Sequence, residues 1–244
     1  MPWGWTPMKI NRVLNSKTMA AAAILLSALL VAAGVFLLED RKYMLISMGI
    51  VILSFIPFAA MFEGKKPRAR EITVTAVMIA IAVVSRAAFF MLPQFKPMTA
   101  VVIISGIALG GETGFVVGAM SAFVSNMLVG QGPWTPWQMF ALGIIGFISG
   151  LIFTEQNFQK KKLIVGIYGF LAAFLIYGFI VDTSTIVMTV YQLNFQAVLA
   201  VYLAGVPFNL IHGAATFIFL MLIGNSMIRK LSRIKKKFGI LHGK

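Results

Sequence analysis

From Met19 to Leu38 the chain carries no charged side chain, and comparable apolar runs recur along its length. A helix needs about 20 consecutive apolar residues, each adding about 1.5 Å of rise, to cross the hydrocarbon core of a bilayer. Runs of this kind predict an all-α fold, a polytopic membrane helix bundle. Composition agrees. With 59% hydrophobic and 11% charged residues among 244, the chain has more apolar surface than a soluble core of that size could hide.

The formal net charge of +14 comes from 21 Lys and Arg against 7 Asp and Glu. Gathered on a soluble face, such an excess would suggest nucleic acid. Here the basic residues fall in short loops and at the termini, the pattern that sets membrane topology, so no nucleic-acid partner is expected. Cysteine is absent, which removes disulfides, thiolate nucleophiles, iron–sulfur clusters and Cys-ligated zinc. The chain also lacks a Ser/His/Asp set, a carboxylate pair, an HExxH motif and a P-loop. It is therefore read as a non-enzyme with no cofactor or metal, unable to hydrolyse ATP by itself.

Two spans come first, Met19 to Leu38 and Tyr43 to Phe62, the former read as an uncleaved helix and the latter containing Pro57. The basic stretch Glu63 to Glu71, with Lys65, Lys66, Arg68, Arg70, Gly64 and Pro67, marks a boundary. Six further apolar segments follow: Ile72 to Met91, Met98 to Leu109, Thr113 to Leu128, Trp137 to Phe153, Leu163 to Val181 and Val198 to Ile228. Met98 to Leu109 is too short to span comfortably and is expected to be either tilted or partly re-entrant. The resulting division is 1–63 for an N-terminal segment with two extra spans and 64–71 for a basic loop. A six-helix core occupies 72–228 and a basic tail 229–244. With both termini cytoplasmic, almost every basic residue falls inside; only Arg41, Lys42 and Lys96 fall outside, with Arg86 in a helix. The protein is thus expected in the cytoplasmic membrane.

Several residues stand out as candidates for chemistry. Ala76 and Ala80 lie one turn apart on one helix face, where small side chains allow close approach of another helix, either within the chain or from a partner. Arg86, near the outer end of that helix, either snorkels or faces a polar cavity. Pro93 and Pro97 stiffen an outer connection expected to project Lys96 to the surface. Gly110, Gly111, Gly114 and Gly118 form a smooth face suited to tight packing, and Asn126 beyond them needs a partner in another helix or a ligand. The strongest local feature is the turn Gly130 to Met139. Its Trp134 and Trp137, flanked by Gln131 and Gln138, could anchor at the interface or stack on a planar ligand. Asp182, with Thr183 to Thr185, and Pro207, Asn209 and His212 add polarity elsewhere, His212 being read as a packed polar residue.

From about Ile72 onward the chain resembles the S-components, the substrate-binding membrane subunits of energy-coupling factor vitamin transporters. The residues that carry the resemblance are the Ala76/Ala80 helix, Phe95-Lys96-Pro97 through Gly118-Ala119, the GQGPWTPWQM run at Gly130 to Met139, and Pro207 to Gly213. It implies a six-helix core and a vitamin captured near the outer surface under loops holding Lys96 and Trp134. It also implies a transmembrane coupling subunit meeting Ala76 and Ala80, driven by two cytoplasmic ATPase subunits. Trp134, Trp137, Gln138, Asn126, Lys96 and Arg86 are the expected substrate-binding residues. The tryptophan-rich loop looks most like corrinoid-binding members, so cobalamin is the expected ligand, with riboflavin, thiamin, pantothenate or a nucleobase precursor as alternatives. The two leading helices depart from the six-helix plan. From another class, a structural or assembly membrane protein without a small ligand would explain the Trp and Gly features as packing and anchoring.

Overall fold

The computed structural model describes residues 21–30, 49–50, 52–53, 56, 69–190 and 194–239. Its elements are α1 (Ala21–Leu30), α2 (Ala69–Ala88), α3 (Met98–Leu109), α4 (Gly111–Val129), α5 (Thr135–Ile152), α6 (Glu155–Lys160), α7 (Lys162–Thr189) and α8 (Phe195–Phe238). Most of the two expected leading spans and of the loop Glu63 to Glu71, and residues 240–244 of the tail, lie outside the described residues. Among the described residues, α2, α4, α5, α7 and α8 are long and apolar enough to cross a membrane. This is the all-α polytopic membrane bundle that the apolar runs predict.

α3 has only 12 residues, about 18 Å of helix against a hydrocarbon core of about 30 Å. All of its residues are buried, so it never has to meet lipid. A helix apolar on every side is stable where other helices surround it, and this one forms the centre of the bundle. A single residue, Gly110 at φ +100°, links it to α4, a backbone conformation that side chains rarely adopt.

α4 and α5 approach almost backbone to backbone. A Cβ at Gly146 would collide with the Gly114 carbonyl oxygen, and one at Gly118 with the Leu142 carbonyl. α3 joins the same contact, since a Cβ at Gly106 would strike the Gly146 carbonyl. Lipid offers helices little hydrophobic drive to associate, so contact area gained through small residues is what holds them. The glycine face read from Gly110 to Gly118 is therefore a packing face.

The boundaries differ from expectation in three places. α6 forms where a loop is expected, because Phe158 is fully buried against Gly224 of α8 and draws its segment onto the bundle. α7 runs on to Thr189 and contains a π-helical stretch, Ala172–Tyr177. α8 is a single helix of 44 residues with Pro207 inside it. At about 1.5 Å per residue it is roughly 66 Å long, about twice the hydrocarbon thickness, so its basic part continues as helix beyond the apolar part. At its start Asn194 Oδ1 accepts the Ala197 N–H at 2.8 Å; at its end Gly239, at φ +58°, caps the helix.

α1 is not detached from the bundle. Ala23 and Ser27 are buried, and Ile24 packs against the Phe115 and Phe147 pair of α4 and α5.

Candidate functional site

Arg86 sits two residues before the end of α2, at the end of the bundle away from the basic part of α8. Its guanidinium Nη1 donates to Ser125 Oγ at 2.6 Å and to Asn126 Oδ1 at 2.7 Å, both on α4. Asn126, fully buried, uses its amide to donate to Thr135 Oγ1 at 3.0 Å and to Gln138 Oε1 at 2.9 Å on α5. Thr135 in turn receives the Gly132 N–H at 3.3 Å. The run from Gly130 to Gln138 is thus wired to Arg86 through one amide. A glycine is required at Gly130, where φ is +122° as α4 ends.

The link from α2 to α3 is folded inward. Phe95 and Lys96 close tight turns onto the carbonyls of Pro93 and Gln94, and Gln94 takes a positive φ of 54°. The Phe95 ring meets Phe89, the first residue past α2, at 6.0 Å and Phe219 of α8 at 5.8 Å, which pins the link against α8. Lys96 consequently lines an internal cavity beside Arg86, rather than projecting into solvent as its flanking prolines suggest. Burial, and then the neighbouring Arg86 charge, hold the Lys96 ammonium below the usual lysine range.

That cavity measures about 60 Å³ and is lined by Arg86, Gln94, Lys96, Met98, Thr99, Gln138, Leu142, Tyr177 and His212. Thr99 Oγ1 and His212 Nε2 lie 2.7 Å apart in a hydrogen bond, and the Tyr177 ring stands edge-on to His212 with centroids 4.6 Å apart. His212 Nδ1 is buried without a hydrogen-bond partner. Buried polar nitrogens are nearly always paired, so this orphan on a residue that lines a polar cavity is an exception that calls for a partner.

A second void of about 550 Å³ opens at the opposite end, between the α3–α4 junction, α6 and the basic part of α8. Lys235 crosses it to donate to the Ala108 carbonyl at 3.3 Å. It is the larger of the two, but its walls lack a buried, converging polar network. Chemistry therefore selects the smaller cavity as the candidate site.

Of the expected site residues, Arg86, Lys96 and Gln138 line the cavity, and Asn126 stands directly behind it. Trp134 and Trp137 do not line it. Trp134, 40% exposed, lays its ring over Gly132 at the start of α5, and Trp137 is half-buried against the core. Ala76 and Ala80 both face outward from α2, roughly 15 Å and 9 Å along the helix from Arg86. Thr99, Tyr177, Ser125 and Thr135 were not singled out as binding residues. His212 had a usable signal, because an ionisable side chain within a spanning helix is costly and so tends to be functional. Tyr177 had none, since the π-helical stretch that turns it toward His212 leaves no mark in the apolar pattern.

Residues 66–229 match a family model described as the ECF-type riboflavin transporter, S component. The chain is 28% identical over 102 residues to a UPF0397 protein of Vibrio atlanticus, covering 39% of this chain and 56% of that protein. A UPF0397 protein of Aliivibrio salmonicida is 29% identical over 105 residues, covering 41% of this chain and 55% of the relative. The match therefore spans little more than half the length of these curated relatives. No solved structure matches.

Proposed function

Because the chain belongs to the ECF-type riboflavin transporter S-component family, we propose that it captures a vitamin at the Lys96 end of the bundle and hands it across the cytoplasmic membrane. One observation carries this reading: Arg86 of α2, Lys96 of the link that follows, Thr99 of α3, Gln138 of α5, Tyr177 of α7 and His212 of α8 converge on one polar cavity. Small-molecule sites combine a few placed polar groups with apolar walls, here Leu142 and Met98. The excess of Lys and Arg at the other end supports a cytoplasmic placement for that end.

A volume of about 60 Å³ holds roughly two waters, whereas sites for drug-sized ligands run to about 300 Å³ or more. Binding therefore requires the cavity to open, by movement of the Gln94–Lys96 link or of the turn before α5. The larger the ligand, the greater that rearrangement, which favours a compact heteroaromatic vitamin over a corrinoid. Riboflavin, named in the family description, is the first ligand to test, with cobalamin the more demanding alternative. Trp134, at the start of α5, on this reading closes over a planar ligand once the cavity has opened. On this reading a transmembrane coupling subunit, driven by two ATPases, meets the outward face of α2 at Ala76 and Ala80.

The test is a vitamin-by-vitamin melting screen of the purified protein. A true ligand at a hundredfold excess over Kd should stabilise the fold by about 2.7 kcal/mol. If riboflavin, thiamin, pantothenate, cobalamin and the nucleobase precursors all leave the melting temperature unmoved, together with the charged vitamins tested below, the structural or assembly reading takes the place of vitamin capture.

A further inference from the structure

The cavity carries two cations and no anion. Arg86 and Lys96 line it together, and none of the other lining residues is acidic. The partners of Arg86, Ser125 and Asn126, are neutral acceptors that orient the guanidinium without cancelling its charge. Among the described residues, Glu71, Glu112 and Glu155 lie in the first turns of α2, α4 and α6, at the far end of the bundle. Asp182 is nearer, but it does not line the cavity and its Oδ2 accepts from Asn209 Nδ2 at 2.7 Å.

The remaining polar groups fit the same requirement. Gln138 has its Oε1 taken by Asn126, which leaves its amide N–H groups for the cavity. His212, only 6% exposed, has its Nε2 engaged by Thr99 and its Nδ1 unpartnered. Two like charges side by side repel each other, and an anion between them relieves that repulsion while keeping both protonated. The complement of a guanidinium, an ammonium and amide donors is a compact, oxygen-rich anionic group.

We propose that the captured micronutrient carries a carboxylate or phosphate, bound jointly by Arg86 and Lys96. This rests on the vitamin-capture reading above and narrows it, since riboflavin itself is neutral. A neutral ligand would dehydrate both cations further and compensate neither.

The test uses the whole chain in phosphatidylcholine nanodiscs, so that no anionic lipid competes. Binding isotherms compare matched pairs: riboflavin with riboflavin 5′-phosphate, pyridoxine with pyridoxine 5′-phosphate, nicotinamide with nicotinate. Pantothenate and cyanocobalamin complete the set. The tightest ligand should be anionic, with affinity that falls as salt rises, and Arg86→Gln and Lys96→Gln should each raise its Kd by about tenfold or more. The loop position of Lys96 makes Lys96→Gln informative even if Arg86→Gln fails to fold, and the wild-type pairs need no variant. A neutral vitamin that binds more tightly than every anion, with a Kd unmoved by Lys96→Gln, overturns the anionic assignment and leaves vitamin capture standing. If no vitamin of either kind binds, both readings fall.

Discussion

Lys96 is the residue whose setting departs most from its sequence context. Flanked by Phe95 and Pro97 in a connecting segment, it looks solvated, yet the Phe89, Phe95 and Phe219 rings fold the segment inward and set its ammonium beside Arg86. Burial and Arg86 lower its pKa, so its charge is lost at a lower pH than the ordinary value of about 10.4. The titratable groups around it are Arg86 on α2, Tyr177 on α7 and His212 on α8. An anion favours the protonated lysine, so affinity for an anionic ligand should be full below the pKa of the empty site and fall as pH rises through it. Isotherms from about pH 7 to about pH 10 should show Kd rising, whereas Lys96→Arg should stay flat because arginine remains charged. A flat wild-type profile would remove the ammonium from recognition. The tryptophans make the opposite case: Trp134 and Trp137 are conspicuous in the sequence, yet they lie outside the cavity wall.

Among the elements, α2 serves two purposes along its length. Its inner face buries Thr75, Met78, Ala82 and Val83, while Ile72, Ala76, Val77, Ala80 and Val84 point outward, exposed among the described residues. Placing a tryptophan at Ala76 or Ala80 should therefore leave the fold and vitamin affinity almost unchanged, because the cavity lies one end away and the site is open. It should nevertheless stop vitamin uptake in cells that supply the coupling subunit and ATPases, by holding the partner helix off. Uptake at wild-type rate in both variants would show that this face meets only lipid. α4 and α5 have no such freedom: the Gly146 and Gly118 backbones already touch the opposing chain, and that close fit fixes where Asn126 and Gln138 meet.

At the scale of the whole molecule, charge separates the two ends. Basic side chains gather where α6 and the extended α8 emerge, and Arg70 of α2 stacks on Phe238 there, 4.9 Å from the ring centroid. The excess predicts that this end stays in the cytoplasm. The absence of cysteine makes every introduced one a unique reporter. Met91→Cys, 86% exposed in the turn after α2, should react with an impermeant maleimide in intact cells, and Lys236→Cys only after permeabilisation. The reverse pattern would turn the protein over and place the candidate cavity on the wrong side for uptake.

Read along the chain alone, the apolar runs specify a helical membrane protein, the basic residues mark its loops and termini, and Arg86, Lys96, Asn126 and Gln138 stand out as polar side chains in or beside spans. Those properties follow from one-dimensional facts. Lipid demands length and apolarity from each span, and a polar side chain within a span is costly enough to be conspicuous. Three features come from the packed molecule instead: α3 lies enclosed at the centre, Lys96 turns inward, and Thr99, Tyr177 and His212 close the same cavity. Each of these depends on contacts between residues far apart in the chain, such as Thr99 with His212 or Arg86 with Asn126. The periodicity of a single helix holds no record of which of its faces another helix will cover, nor of a π-helical turn that swings one tyrosine toward a distant histidine.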